Sequence, residues 1–190
     1  MNKKLAATLS GGAVVLLALS GCGSNDAKVN DWAKGFCDKV QPQRQAIAGA
    51  NASIVKATST ASAPADVKRV DSAAFGTNAT AYAALASAVK AAGAPPVDDG
   101  AKTQQDAIQE LNSTSTAYAQ LKKQVDGLET SDQAKFAAQL SDVSTQLGKI
   151  GSGGDTALRK LQSGDLGQAM AKQAGCKKGA PAGADSSTAS

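Results

Sequence analysis

The chain contains no histidine. Nucleophilic sites of the Ser-His and Cys-His kinds, and all metal sites with imidazole ligands, are therefore excluded. Glutamate occurs only at Glu110 and Glu129, and no Cys-x-x-Cys pair is present. No loop carries the spaced carboxylates that a calcium site requires. We therefore expect no catalytic, cofactor-binding or metal-ligating residues, and a protein that is not an enzyme.

The first 22 residues have the order of an export signal. Lys3 and Lys4 precede an apolar stretch, residues 13–19, that is too short to span a bilayer, since spanning takes about 20 apolar residues. The segment Leu19-Ser20-Gly21-Cys22 then resembles the lipobox of bacterial lipoproteins, in which a diacylglycerol is attached to the cysteine thiol and the signal is cut just before it. The alternative is an ordinary secretory signal with an incidental cysteine.

The lipobox resemblance implies a signal peptide over 1–21 and a lipidated Cys22 that opens a short tether over 22–27. It places the protein at the extracytoplasmic face of the cell membrane, with the membrane as a partner through the lipid on Cys22. Loss of Lys3 and Lys4 with the signal lowers the net charge from +4 to +2. No basic face or aromatic platform stands out, so no nucleic-acid partner is expected.

Two cysteines remain once Cys22 carries lipid. In an oxidising compartment the even pair Cys37 and Cys176 predicts a disulfide, and the alternative is two free thiols. Aromatic residues make up only 3% of the chain, whereas alanine, the strongest helix former, is abundant. The composition therefore predicts an all-α domain over 28–176.

Apolar residues at helical spacing, separated by Pro, Gly and Ser/Thr-rich segments, predict helices over about 28–60, 65–92, 98–127 and 131–174. Pro42 predicts a kink or break near Gln41. Asp98 is the expected N-cap of the third helix, and Thr130 with Gln133 resembles a capping box for the fourth. The fourth helix carries a heptad seam, Phe136, Leu140, Val143, Leu147 and Ile150, and is expected to break at Gly151–Gly154.

The cysteine pair helps to choose the topology. If the last segment were a separate antiparallel fifth helix, Cys176 would lie at the opposite end of the bundle from Cys37. If residues 131–174 form one broken arm, the two cysteines can meet within the 7 Å or so that a disulfide needs between Cα atoms. We therefore predict four arms in up-down-up-down order, followed by a disordered tail over 177–190.

The lipobox, the Ala-rich helical body, the Cys37 and Cys176 pair and the Ser/Ala/Gly-rich tail together resemble small secreted lipoproteins of actinobacteria. The resemblance covers nearly the whole chain and implies its location and its helical fold. That family is largely uncharacterised, so the resemblance implies no site residues.

Aromatic and charged residues suggest a few candidate sites, each with a simpler alternative. Trp32 with Phe36 could line a ligand pocket, or pack as core around the disulfide. Tyr82 and Tyr118 could face a groove between the second and third helices, or belong to the core with their hydroxyl groups at its rim. Asp98-Asp99 could contribute to a cation site, and the alternative is an N-cap with favourable charge near a helix start.

Two lysine pairs, Lys122-Lys123 and Lys177-Lys178, could contact anionic headgroups, or remain solvated. These features support two hypotheses for the function; a further one, an enzyme that uses Asp with Lys or Tyr and no His, has no recognisable motif at acids such as Asp38 and Asp99. The first is a non-enzymatic interaction or binding module, whose partner would be a cell-envelope protein or an unidentified ligand. The second is a carrier that holds a small apolar or cell-envelope ligand between its helices. An enclosed pocket, as opposed to a filled core, would distinguish the carrier from the interaction module.

Overall fold

A computed structural model of the chain describes residues 23–59, 63–153 and 159–177, and these ranges contain helices and turns but no strand. The helices are α1 (Gly23–Ser59), α2 (Pro64–Ala92), α3 (Gly100–Asp126), α4 (Gln133–Gly153), α5 (Gly164–Lys172) and α6 (Ala174–Lys177). The predicted all-α bundle is confirmed. The predicted signal peptide, Cys22 and the tail beyond Lys177 lie outside the described residues.

The ends of α2 follow the expected punctuation, whereas α1 begins at Gly23, about five residues before its predicted start, so residues 23–27 of the predicted tether are helical. Pro64 occupies the first turn of α2, where its missing N–H costs nothing. Gly93 ends the helix with a φ of 76° and donates its N–H to the carbonyl of Lys90 at 3.3 Å. The break expected at Pro42 is absent, because α1 continues through this residue as one helix of 37 residues. Its apolar stripe packs on both sides of Pro42, and tertiary packing outweighs the local cost of the proline.

The predicted N-cap of α3 is wrong by one residue. The N-cap position is held by Asp99, in the left-handed region at φ 57°, and its side chain makes no capping hydrogen bond. The cause is the preceding turn, which presses the carbonyl of Pro95 against the α-carbon of Gly100 and leaves no room for a Cβ atom there. A glycine at the first helical position is therefore required by the approach of Pro95.

The predicted capping box of α4 is also wrong. Asp132, between the two residues proposed for it, accepts a hydrogen bond on Oδ1 from the N–H of Lys135 at 3.0 Å. A carboxylate at this position satisfies a helix N–H and interacts favourably with the helix dipole, so it displaces the weaker threonine cap.

The last arm of the bundle is divided between two neighbours. The helices α1, α2 and α3 pack side by side, α4 packs on α3, and α5 and α6 pack on α1. The break expected at Gly151–Gly154 is not seen in residues 151–153, since α4 is helical through Gly153, and the chain is described again from Arg159. Gly164, with φ 57°, sets α5 apart from the helical residues 159–161.

Most of the buried apolar side chains form two clusters. The first, here called the disulfide-end core, contains Val29, Ala33, Phe36, Cys37, Val40, Ala86, Val89, Ala107, Leu111, Leu161, Leu166, Ala169 and Met170. The second, the distal core, contains Val67, Phe75, Tyr118, Leu121, Val125, Leu128, Phe136 and Val143. The heptad seam of α4 contributes to the distal core alone, with Phe136 and Val143 buried and Leu140, Leu147 and Ile150 half-buried.

Candidate functional site

A cavity of about 320 Å³ lies between α1, α2, α3 and the C-terminal part of the chain. Its lining is apolar except for Arg44, Gln162 and the hydroxyl group of Tyr82. Gln162 and Ala171 are exposed residues that also line the cavity, so its mouth lies beside them. The cavity is large enough for a small organic molecule, since ligand pockets occupy about 300–1,000 Å³.

One face of α1 forms the floor of the cavity. Phe36, Val40, Arg44 and Ile47 follow one another at intervals of four, four and three residues, which places them on a single stripe of the helix. Tyr82 and Leu85 of α2 and Leu111 of α3 complete the walls on the side of the helical hairpins. The described residues thus contain a space between the helices of the kind that a carrier would need.

The aromatic pair near the start of α1 is divided between core and cavity. The rings of Trp32 and Phe36 stack with their centroids 5.1 Å apart. Phe36 lines the cavity, whereas Trp32 lies behind it and donates its indole N–H to the carbonyl of Gly93 at 3.0 Å. Trp32 therefore holds the end of α2 against α1 and supports the ring that faces the cavity.

The two tyrosines are divided in the same way. Their rings stack with centroids 5.4 Å apart. The ring of Phe75 lies next to that of Tyr118, with the two centroids 6.1 Å apart. Tyr82 lines the cavity, whereas Tyr118 is buried in the distal core, where desolvation raises the pKa of its phenol. The tyrosine stack thus closes the cavity on the side of the distal core.

The remaining boundary of the cavity is the segment Leu161–Lys177, here called the C-terminal wall. It contributes Leu161, Gln162, Gly167, Met170, Ala171 and Cys176 to the lining. Four of its apolar side chains, Leu161, Leu166, Ala169 and Met170, anchor it in the disulfide-end core. Small residues face the cavity between these anchors, which leaves space that a continuous row of large side chains would fill.

A disulfide joins the C-terminal wall to α1. Cys37 and Cys176 are bonded, with their Cα atoms 5.1 Å apart, as the pairing of the two cysteines predicts. Cys37 is fully buried, whereas Cys176 is partly exposed and lines the cavity. Next to the bond, Gly175 packs so closely on the carbonyl of Cys37 that a Cβ atom would overlap it.

Arg44 adds a polar tie at the same place. Its Nη1 donates to the carbonyl oxygens of Gly175 at 3.2 Å and Cys176 at 2.5 Å. A cation suits the carbonyl-rich C-terminal end of a short helix. Burial lowers the pKa of the guanidinium through desolvation. Sequence reasoning missed Arg44, although its place four residues after Val40 on the apolar stripe was a usable signal.

The other charged candidates lie away from the cavity. Asp98 and Asp99 are exposed in the turn before α3, and Lys122 forms an ion pair with Asp126 at 2.6 Å on the surface. Lys177 is exposed, and Lys178 lies outside the described residues. Across residues 23–59, 63–153 and 159–177, no group of three or more Cys, Asp or Glu side chains is placed to hold a metal ion.

None of the helices in the described ranges combines the length and the apolar character needed to cross a membrane. The chain was also compared with known proteins: no family model, no curated protein and no solved structure matches it.

Proposed function

We propose that this protein is a non-enzymatic, lipid-anchored binding protein of the extracytoplasmic membrane face, and that it holds a small apolar ligand in the cavity between its helices. The observation that carries the proposal is the cavity itself, about 320 Å³ in volume and lined mainly by aliphatic and aromatic side chains. Its volume lies near the lower end of the range for ligand pockets, which favours a compact molecule over a long lipid.

The chemistry of the lining favours binding over catalysis. The polar side chains that line the cavity are Arg44, Gln162 and Tyr82, and the two sulfur atoms beside them are joined in a disulfide. Among these described lining residues there is no nucleophile paired with a general base and no pair of carboxylates. An apolar ligand would gain by leaving water, while these few polar groups would set its orientation.

The surface gives less support to a protein-interaction module. Val55, which is 67% exposed, is the one large hydrophobic side chain that stands exposed in the described ranges. A single exposed residue of this kind is ordinary on a soluble protein, whereas protein-binding surfaces expose contiguous apolar patches. The carrier hypothesis is therefore preferred to the interaction hypothesis.

The proposed location depends on the lipobox. Cys22 immediately precedes α1, which begins at Gly23, so a lipid on Cys22 would sit at the start of the helix that forms the cavity floor. Mass spectrometry of the natively expressed protein should find a diacylglycerol on an N-terminal Cys22. The Cys22→Ala protein should remain uncut or become soluble. An unmodified N-terminus at another residue would refute the anchor and leave the cavity argument intact.

Ligand binding can be tested with N-phenyl-1-naphthylamine, an apolar dye that fluoresces when it leaves water. We expect saturable binding of one dye per protein and a change in the emission of Trp32, because the indole stacks on Phe36 of the cavity floor. Organic extraction of the natively expressed protein should release a small apolar compound. The absence of both dye binding and an extractable compound would refute the proposal.

A matched pair of variants ties the dye to this cavity. Leu85→Trp places a larger ring at a half-buried position of the lining and should abolish or strongly weaken dye binding. Ala83→Trp places the same ring on the exposed face of the same helix and should leave dye affinity unchanged. Equal affinities in the two variants would show that the dye binds elsewhere on the protein.

A further inference from the structure

Building on the proposed function, we propose that the Cys37–Cys176 disulfide is a redox-controlled latch on the ligand cavity. In this proposal the oxidised bond keeps the C-terminal wall closed against α1 and holds the ligand in place. Reduction of the bond by a dithiol would let the wall open and exchange the ligand. The two functions differ in kind, since binding requires only the cavity, whereas the latch requires that the wall move separately from the rest of the bundle.

The packing of the C-terminal wall makes separate movement possible. Its helices α5 and α6 have nine and four residues, too short to be stable alone. They pack chiefly on α1, whereas α2 packs extensively on both α1 and α3 without them. Loss of the wall would therefore leave the three long helices α1, α2 and α3 and the distal core in place.

The attachments of the wall converge beside the disulfide. Three contacts join α1 to Gly175 and Cys176: the disulfide, the two hydrogen bonds from Arg44, and the close packing of Gly175 on Cys37. The other attachment is the apolar anchoring of the wall in the disulfide-end core. Once the disulfide is reduced, only noncovalent contacts hold the C-terminal wall against α1. Thermal motion can then separate the wall from α1 and open the cavity.

The two sulfur atoms differ in access, and this difference sets the order of the chemical steps. A thiolate of the dithiol attacks Sγ of Cys176, the partly exposed partner, and Sγ of the buried Cys37 leaves as a thiolate that then takes a proton. The second thiol of the reductant attacks its own sulfur in the mixed disulfide and releases Cys176 as a thiol. In total, two electrons and two protons pass from the dithiol to the protein, and the dithiol becomes a disulfide.

The position of Cys176 in the cavity lining also predicts a reciprocal effect. A ligand in the cavity covers the face of the wall that carries Cys176, so it should slow the attack of the dithiol. If reduction weakens the hold on the ligand, the bound ligand must disfavour reduction by the same factor at equilibrium. A disulfide that only stabilised the fold at a distance from the site would show no such coupling.

The first experiment measures dye exchange by stopped flow on the natively expressed protein in its oxidised form and after treatment with dithiothreitol. Reduction should raise both the association and the dissociation rate of N-phenyl-1-naphthylamine. The dissociation rate should rise by about tenfold or more, which corresponds to an activation free energy lower by about 1.4 kcal/mol. The Cys37→Ser/Cys176→Ser protein should exchange dye at the fast rates without reductant and should not respond to dithiothreitol. Saturating dye should slow the reduction of the parent protein.

The second experiment locates the movement without relying on any ligand. Hydrogen exchange followed by mass spectrometry should show that reduction speeds exchange in α5, α6 and the facing turns of α1, while α2 and α3 keep their protection. Circular dichroism should retain most of its helical signal. Loss of most of the helical signal on reduction would overturn the latch, since the bond would then hold the whole bundle.

The outcomes separate the two proposals. Failure of the oxidised protein to bind the dye refutes the binding function. Dye binding whose rates are the same before and after reduction refutes the latch and leaves the binding function standing. Unchanged hydrogen exchange in α5 and α6 after complete reduction also refutes the latch.

Discussion

Asp71 offers a test of how one buried carboxyl group in α2 affects the stability of the fold. This carboxyl group lies on the buried face of α2 and is 3% exposed. Its Oδ1 atom has no hydrogen-bond partner among the described residues, so the charged form loses its hydration without compensation. Desolvation raises the pKa of Asp71 from 3.8 to about 6. At neutral pH the folded protein therefore carries a buried charge that opposes folding.

The sign of the effect follows from proton binding. Between about pH 4 and pH 6 the native state holds the Asp71 proton more firmly than the unfolded chain does, so stability from this group falls as the pH rises through that range. Each pKa unit corresponds to about 1.4 kcal/mol. The rise from 3.8 to about 6 therefore lowers the free energy of unfolding by about 3 kcal/mol above pH 6, a large share of the roughly 5–15 kcal/mol of a typical domain.

Replacement of Asp71 by asparagine removes the charge and keeps the shape. Urea unfolding followed by circular dichroism should show Asp71→Asn to be more stable than the parent by about 3 kcal/mol near pH 8, and nearly equal to it near pH 4. Asp66→Asn is the matched control on the exposed face of α2. It loses a surface ion pair with Arg69 and a favourable charge in the first turn of the helix, and should change stability by about 1 kcal/mol or less at any pH above about 5. A pH-independent difference, or a less stable Asp71→Asn protein near pH 8, would refute the reasoning.

Two further comparisons test packing. Gly175→Ala forces a Cβ atom onto the carbonyl of Cys37 and should lower the melting temperature. Gly148→Ala, at an open helical position, should instead raise the free energy of unfolding by about 0.5–1 kcal/mol. A Gly175→Ala protein as stable as the parent would contradict the close approach. Phe136→Ala, at a buried position, should cost about 3–5 kcal/mol in chemical unfolding, and Leu140→Ala, which is half-buried, clearly less. Equal losses at the two positions would contradict the assignment of burial along α4.

Helix positions could be predicted closely from the sequence because their causes are local. The predicted second helix, 65–92, differs from α2 by one residue, since Pro64 and Gly93 define its ends through their own backbone preferences. The heptad seam of α4 correctly identified Phe136 and Val143 as core. Here propensity, periodicity and punctuation agree, and tertiary structure has nothing to override.

The predictions for Pro42 and for the start of α3 failed where the backbone depends on more than the preference of each residue. Pro42 does not break α1, because the helix packs along its length on α2. The start of α3 depends on the approach of Pro95 to Gly100, which no local rule anticipates. The packing of one helix on another and the course of a tight turn are not contained in the preferences of single residues.

The candidate site was predictable in part. Phe36 and Tyr82 were recognised as aromatic candidates, and both line the cavity. Gly167 and Met170 were missed because a glycine and a methionine near the end of a chain carry no pattern, and they reach the cavity only through the fold of the C-terminal wall. Arg44 was missed because a charged residue on a helix is usually solvated, and its partners lie more than 130 residues away.

The cavity and the disulfide follow from the same property of the C-terminal wall. Gly167 and Ala171 leave volume beside α1 that larger side chains would occupy. A Leu buried in that volume would add about 1.5–3 kcal/mol to the free energy of unfolding, and the cavity lacks this contribution. The bond between Cys37 and Cys176 closes a loop with a sequence separation of 139, for which the chain-entropy model gives about 5 kcal/mol. That is comparable to about two buried Leu side chains, so a covalent tie can offset what the cavity removes. A wall that lines an open cavity is necessarily underpacked, and this is why its closure can depend on one bond.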